Sequence, residues 1–132
     1  MKPVTIGQSY THRVHTTHAH TADAYGNKGI AVVATPVLIG FLETAATECL
    51  RPCCDEGEGS VGTTVNVRHV AACLAGSVID AIATVTAVKG KQVEFKVEAR
   101  AGDTVLMEGS HGRAVINLAR FFGHLGIKPP GA

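Results

Sequence analysis

Glu43 and His69 are the two ionisable side chains whose positions in the chain are hardest to explain as solvated surface. Glu43 interrupts the largely apolar run from Val37 to Ala46, an expensive place for a carboxylate unless it is paired or put to use. His69 closes the segment Gly59-Ser60-Val61-Gly62-Thr63-Thr64-Val65-Asn66-Val67-Arg68-His69, which reads as a strand able to deliver an imidazole to that carboxylate. A carboxylate acts as base or nucleophile, and histidine is the side chain that titrates near neutral pH, so together they suit proton transfer or acyl chemistry. Each also has an ordinary structural reading. Glu43 can pair with an arginine such as Arg113, His69 can simply end a strand, and Gly62 can be a bulge or strand-edge glycine.

The elements that must position these residues are legible from periodicity. Thr35-Pro36 reads as an N-cap followed by the first helical residue. Apolar residues then recur at 37, 38, 41, 42, 45, 46, 49 and 50, a helical stripe, and Arg51-Pro52 ends it. Residues 8–16 predict a first strand. Gly26-Asn27-Lys28-Gly29 marks a turn in a lid-like connection over 21–34. After the helix come four β-type runs near 60–71, 77–88, 91–100 and 103–117. Val93, Phe95 and Val97 alternate with Glu94, Lys96 and Glu98, one wet face and one dry. The run from Val78 to Val85 is more continuously apolar and is expected to be more central. Residues 117–123 suggest a short terminal helix before a loose tail at 129–132. Strand, loop, long helix, then four strands fits an α+β layer in which an antiparallel sheet wraps one helix.

Composition narrows the function classes. The chain has 132 residues, one domain by length, and it is 45% hydrophobic with four Phe, two Tyr and no Trp, so Val, Ala, Leu and Ile must fill the core. A net charge of +1 without any Lys/Arg block gives a nucleic-acid partner no support. No apolar run is long enough to span a membrane, and no signal-peptide pattern opens the chain; the expectation is a cytoplasmic protein without a membrane partner. Cys49, Cys53, Cys54 and Cys73 match no zinc spacing and are read as free structural thiols. Histidines 12, 15, 18 and 20 resemble a metal tract, but strand alternation puts His12 and His15 on opposite faces. No metal is expected.

The joint pattern resembles a known family. The Thr35…Glu43 spacing, Glu-Gly-Ser-Val-Gly-Thr at 58–63, His69, and Gly-Arg-Ala-Val-Ile at 112–116 are similar to the fluoroacetyl-CoA thioesterases, a family of hot-dog-fold acyl-CoA thioesterases. The likeness runs from about residue 33 to 120. It implies a hot-dog fold with Thr35, Glu43 and His69 as the catalytic group. It also implies that Gly62 lies beside the thioester carbonyl and that Arg113 sits near the active-site end of the last strand. The substrate would be an acyl-CoA, with coenzyme A belonging to the substrate and no separate cofactor. The resemblance further implies at least a homodimer with active sites between subunits, where His69 meets Glu43 across or near the interface.

Two departures bear on specificity. Relatives that select fluoroacetyl groups carry an aromatic lid ahead of the helix; this chain has Tyr25 and the small aliphatic residues 30–34 there, with no phenylalanine. Thr44 stands where the family has a tryptophan after the glutamate. The expectation is therefore a broader short-chain acyl-CoA thioesterase. A hot-dog hydratase or dehydratase and a non-catalytic acyl-CoA-binding domain are the alternatives.

Overall fold

In the computed structural model, which describes residues 1–129, the central element is helix α1, Thr35–Leu50. Seven of its eight stripe positions are buried; the eighth, Phe41, is partly covered. The strands are β1 (Ser9–His15), β2 (Glu58–His69), β3 (Val78–Lys89), β4 (Gln92–Ala101) and β5 (Thr104–Asn117), followed by the short helix α2 (Leu118–His124). They form one antiparallel sheet in the order β1-β3-β4-β5-β2. The call of a tail at 129–132 falls mostly outside the described residues.

Helix and sheet meet through small side chains. Ile79, Ala81, Ala83 and Val85 of β3 and Val93, Phe95, Val97 and Ala99 of β4 are buried in one core with Leu38, Leu42, Ala45, Ala46 and Leu50 of α1. The alanines on both sides let the helix axis approach the strands closely, and Phe95 is the one fully buried phenylalanine or tyrosine among the described residues. Register shifts between Gly62 and Thr64, Val85 and Ala87, and Ala99 and Arg100 sharpen the local twist, which bends the sheet around the helix.

Two expectations need correction. The middle strand is β4, with β3 beside it. The extra apolar residues of β3 do not bury both faces: Val78 is exposed and Ile82 half-buried. Nor does Thr35 cap the helix. The capping position is Ala34, which makes no side-chain bond, so Thr35 and Pro36 are the first two helical residues. Val37 and Leu38 both donate to the Ala34 carbonyl oxygen and Pro36 has no N–H, which leaves little for a capping hydroxyl to satisfy.

The loop ahead of α1 is fastened at its base. Thr21 bridges Val33, Val32 bridges Leu74, and Ala34 donates to the His20 carbonyl. Its tip exposes Tyr25 and Ile30. His12 and His20 lie edge-on to Phe41, and His18 pairs with Asp23 at 3.1 Å. All four cysteines are free, and burial pushes the thiols of Cys49, Cys54 and Cys73 up from their ordinary range. Among the described residues no helix is long and apolar enough to cross a membrane.

Candidate active site

The expected site residues fall into two groups on opposite ends of one helix stretch. At the helix start, Thr35 Oγ1 and His69 Nδ1 are 2.7 Å apart. The strand-end histidine thus reaches the threonine rather than the glutamate. The hydroxyl has found an imidazole instead of a backbone N–H, which is the physical reason that it does not cap. Among the described residues Thr35's own N–H has no backbone acceptor, and it stands at the positive end of the helix dipole. A free N–H, a hydroxyl and an imidazole converge there, the components for polarising a carbonyl and moving a proton.

Glu43 follows Thr35 by eight residues, about 12 Å along the helix axis at 1.5 Å per residue. It is not enclosed by the apolar run as its sequence position suggests: its side chain is 43% exposed, because it points toward β2, a sheet edge with no further strand beside it among the described residues. Its partner is Arg113, whose Nη1 lies 3.4 Å from Glu43 Oε2. The guanidinium is itself almost fully buried, and its Nε and Nη2 donate to the Ser60 hydroxyl and carbonyl at 3.0 Å each. Burial pushes the Arg113 pKa down from its ordinary value, and Glu43 opposes this only in part. The structural alternative for Glu43, an ion pair with Arg113, is therefore realised, and it is compatible with use of the carboxylate's exposed side.

Gly62 closes this second group. A methyl added there would lie 2.7 Å from Glu43 Oε2, 3.2 Å from His111 Cε1 and 3.5 Å from Arg113 Nη1. A side chain there would have to displace the end of Glu43, and glycine is what lets β2 pass this close to the carboxylate. Read from the sequence alone, His111 is structural and Ser60 has no role of its own. The signal for His111 was its spacing, two residues before Arg113 on a strand, which puts both on one face. Ser60 carried no comparable signal, since it joins Arg113 only through strand pairing.

A five-stranded antiparallel sheet curled on one long helix, with polar groups at the helix start and beside the edge strand, is the hot-dog architecture. A Thermus thermophilus thioesterase superfamily member shares it at TM-score 0.88 and 23% identity, covering 96% of this chain and 93% of that one. A solved fluoroacetyl-CoA thioesterase, a threonine-to-serine mutant in complex with acetyl-CoA, matches at TM-score 0.88 and 27% identity over 92% of this chain and 96% of that one. The sequence also matches the family described as fluoroacetyl-CoA-specific thioesterase over residues 16–119. It is 34% identical over 99 residues to the fluoroacetyl-CoA thioesterase of Streptantibioticus cattleyicolor, 75% of this chain and 71% of that one. The chain belongs to the fluoroacetyl-CoA-specific thioesterase family.

Proposed function

We propose that this protein hydrolyses short-chain acyl-CoA thioesters to the free acid and coenzyme A, with Thr35, Glu43 and His69 as its catalytic group. Family membership supports the reaction class, and the 2.7 Å contact between Thr35 and His69 is the observation that carries the assignment of residues. The thioester carbonyl meets the helix start, where the Thr35 N–H and the helix dipole stabilise its developing negative charge. Glu43 acts as base toward water or as nucleophile toward the carbonyl, and His69 passes a proton to the departing thiolate. Gly62 and Arg113 bind the substrate and hold the carboxylate.

Thr35 and Glu43 are about 12 Å apart along the axis of α1 and His69 bonds Thr35 rather than Glu43, so the working site in this reading combines two chains. Residues 62–66 are the exposed middle of β2. If two copies pair antiparallel along that edge about a two-fold axis between Val65 and Asn66, His69 of one faces Gly62 of the other. The Thr35–His69 pair then stands against the Glu43–Arg113 pair of its neighbour. A homodimer is thus part of the proposal, as is a cytoplasmic location.

Because the loop before α1 lacks phenylalanine, preference for fluoroacetyl-CoA over acetyl-CoA is expected to be weak. The Glu43–Arg113 ion pair is what favours the rival reading, an acyl-CoA-binding domain without catalysis. Release of free thiol from acetyl-, propionyl-, butyryl- and fluoroacetyl-CoA tests both. Turnover of several short acyl-CoAs at similar rates is the expected result. Binding without thiol release supports the rival, and a strong fluoroacetyl preference overturns the reading of the loop.

A further inference from the structure

Apart from cysteines, the buried ionisable side chains among the described residues are His111, 1% exposed, and Arg113, 5% exposed. His111 is not one of the groups proposed to act on the substrate. Its ring lies 6.3 Å from the Phe95 ring, near-parallel to it, and both of its nitrogens are engaged. Nδ1 is 2.7 Å from the Thr64 carbonyl oxygen. A carbonyl only accepts, so Nδ1 carries the proton. Nε2 is 3.2 Å from Arg113 Nη1. A guanidinium only donates, so Nε2 must be a lone pair. The two contacts independently specify the same neutral tautomer, and a second proton on the ring would set N–H against N–H.

The network is directional. Thr64 lies at the register shift of β2 after Gly62, and its carbonyl orients the ring. The ring holds Arg113 Nη1, which also reaches Glu43 Oε2 at 3.4 Å, while Ser60 holds the guanidinium's other edge. We propose that His111 is a positioning residue: a neutral imidazole whose Nε2 lone pair holds the Arg113 guanidinium so that it fixes the Glu43 carboxylate beside Gly62. The consequence for catalysis rests on the reading of Glu43 given above; the positioning itself does not.

The groups facing the ring are Arg113 from β5, Glu43 from α1 and Glu94 from β4. Burial pushes the His111 pKa below its ordinary 6.5; the Thr64 bond opposes this, the Arg113 charge adds to it, and Glu43 and Glu94 oppose it. With the folded value depressed, the unfolded chain binds a proton that the folded chain refuses. The contribution to stability is complete above pH 6.5 and falls as the pH drops below it.

Two substitutions separate positioning from packing. His111→Phe keeps a ring against Phe95 but offers Arg113 no acceptor; His111→Gln gives up the ring but keeps an acceptor near the Nε2 position. Positioning predicts that kcat of His111→Phe falls about tenfold or more with KM little changed, the scale seen when an orienting partner is lost. His111→Gln should recover most of that loss. Nitrogen-15 NMR of the wild type should show the Nδ1–H neutral tautomer persisting below pH 6.5. It should also show a rotationally held Arg113 guanidinium in wild type and His111→Gln that is released in His111→Phe. Wild-type kcat with a held guanidinium in His111→Phe would overturn the proposal, as would an Nε2–H tautomer in the wild type. If His111→Phe does not fold, the wild-type tautomer and His111→Gln decide. If the wild type hydrolyses no acyl-CoA yet shows the expected NMR behaviour, the functional reading fails and the positioning stands.

Discussion

The two ends of the candidate site are built in opposite ways. At the helix start, Thr35 is exposed, His69 is half-buried, and a single hydrogen bond joins them. Beside the edge strand, Arg113 is buried, four of its hydrogen-bond contacts are fixed by Ser60, His111 and Glu43, and the ring behind it is pinned to the backbone. The first group rests on one contact; the second is a cross-linked network whose carboxylate stays partly exposed. A buried, cross-linked network holds a charge in place at the cost of desolvating it, whereas an exposed hydroxyl–imidazole pair remains free to exchange protons. Chemistry on a thioester requires both properties, and Thr35 and Glu43 sit about 12 Å apart along the axis of α1. In the proposed dimer, pairing along the exposed edge of β2 is what brings the two groups together.

The largest effect should come from removing the reactive atom of the rigid group. Glu43→Gln keeps the shape and a hydrogen-bond acceptor for Arg113 but cannot take a proton, so turnover should fall by about two to four orders of magnitude. Circular dichroism and thermal melting should show the fold retained. Near-wild-type turnover would leave Glu43 as a structural ion pair and erase the functional contrast between the two ends.

How much of this was legible in the sequence follows from the range of the interactions involved. The 3.6-residue stripe from Val37 to Leu50 and the alternation at Val93, Phe95 and Val97 are local patterns, and both elements lie where those patterns put them. Thr35 was misread as a cap because capping is a local rule, while its actual partner is 34 residues away on β2. The continuous apolar run of β3 suggested a middle strand, but strand order is set by which edges pair, and β4 took that place. The resemblance named Thr35, Glu43, His69, Gly62 and Arg113 together. Their division into two groups became visible only with the helix and sheet in three dimensions. His111 is read as structural from the sequence, because the role proposed for it depends on which nitrogen carries the proton, and no spacing rule records that.

A smaller effect distinguishes the two possible duties of Thr35. As a cap, its hydroxyl would be worth about 1 kcal/mol of stability. Since it bonds His69 instead, Thr35→Ala should lower stability by clearly less than that in urea unfolding, while activity falls. Thr35→Asn should fold normally and lose most activity on acetyl- or propionyl-CoA. A full capping penalty in Thr35→Ala, or full activity in Thr35→Asn, would return Thr35 to a structural role.

The central claim is that each working site takes Thr35 and His69 from one chain and Glu43 and Arg113 from another. Mixing two inactive variants tests it most directly. His69→Ala and Glu43→Gln, each nearly inactive alone, are unfolded together, refolded as a mixture and assayed for thiol release. In a two-fold dimer with shared sites, half of the dimers are mixed and one of the two sites in each is intact, so about a quarter of wild-type activity should return. Activity no greater than the average of the two parents would place both groups' work within a single chain and contradict the account.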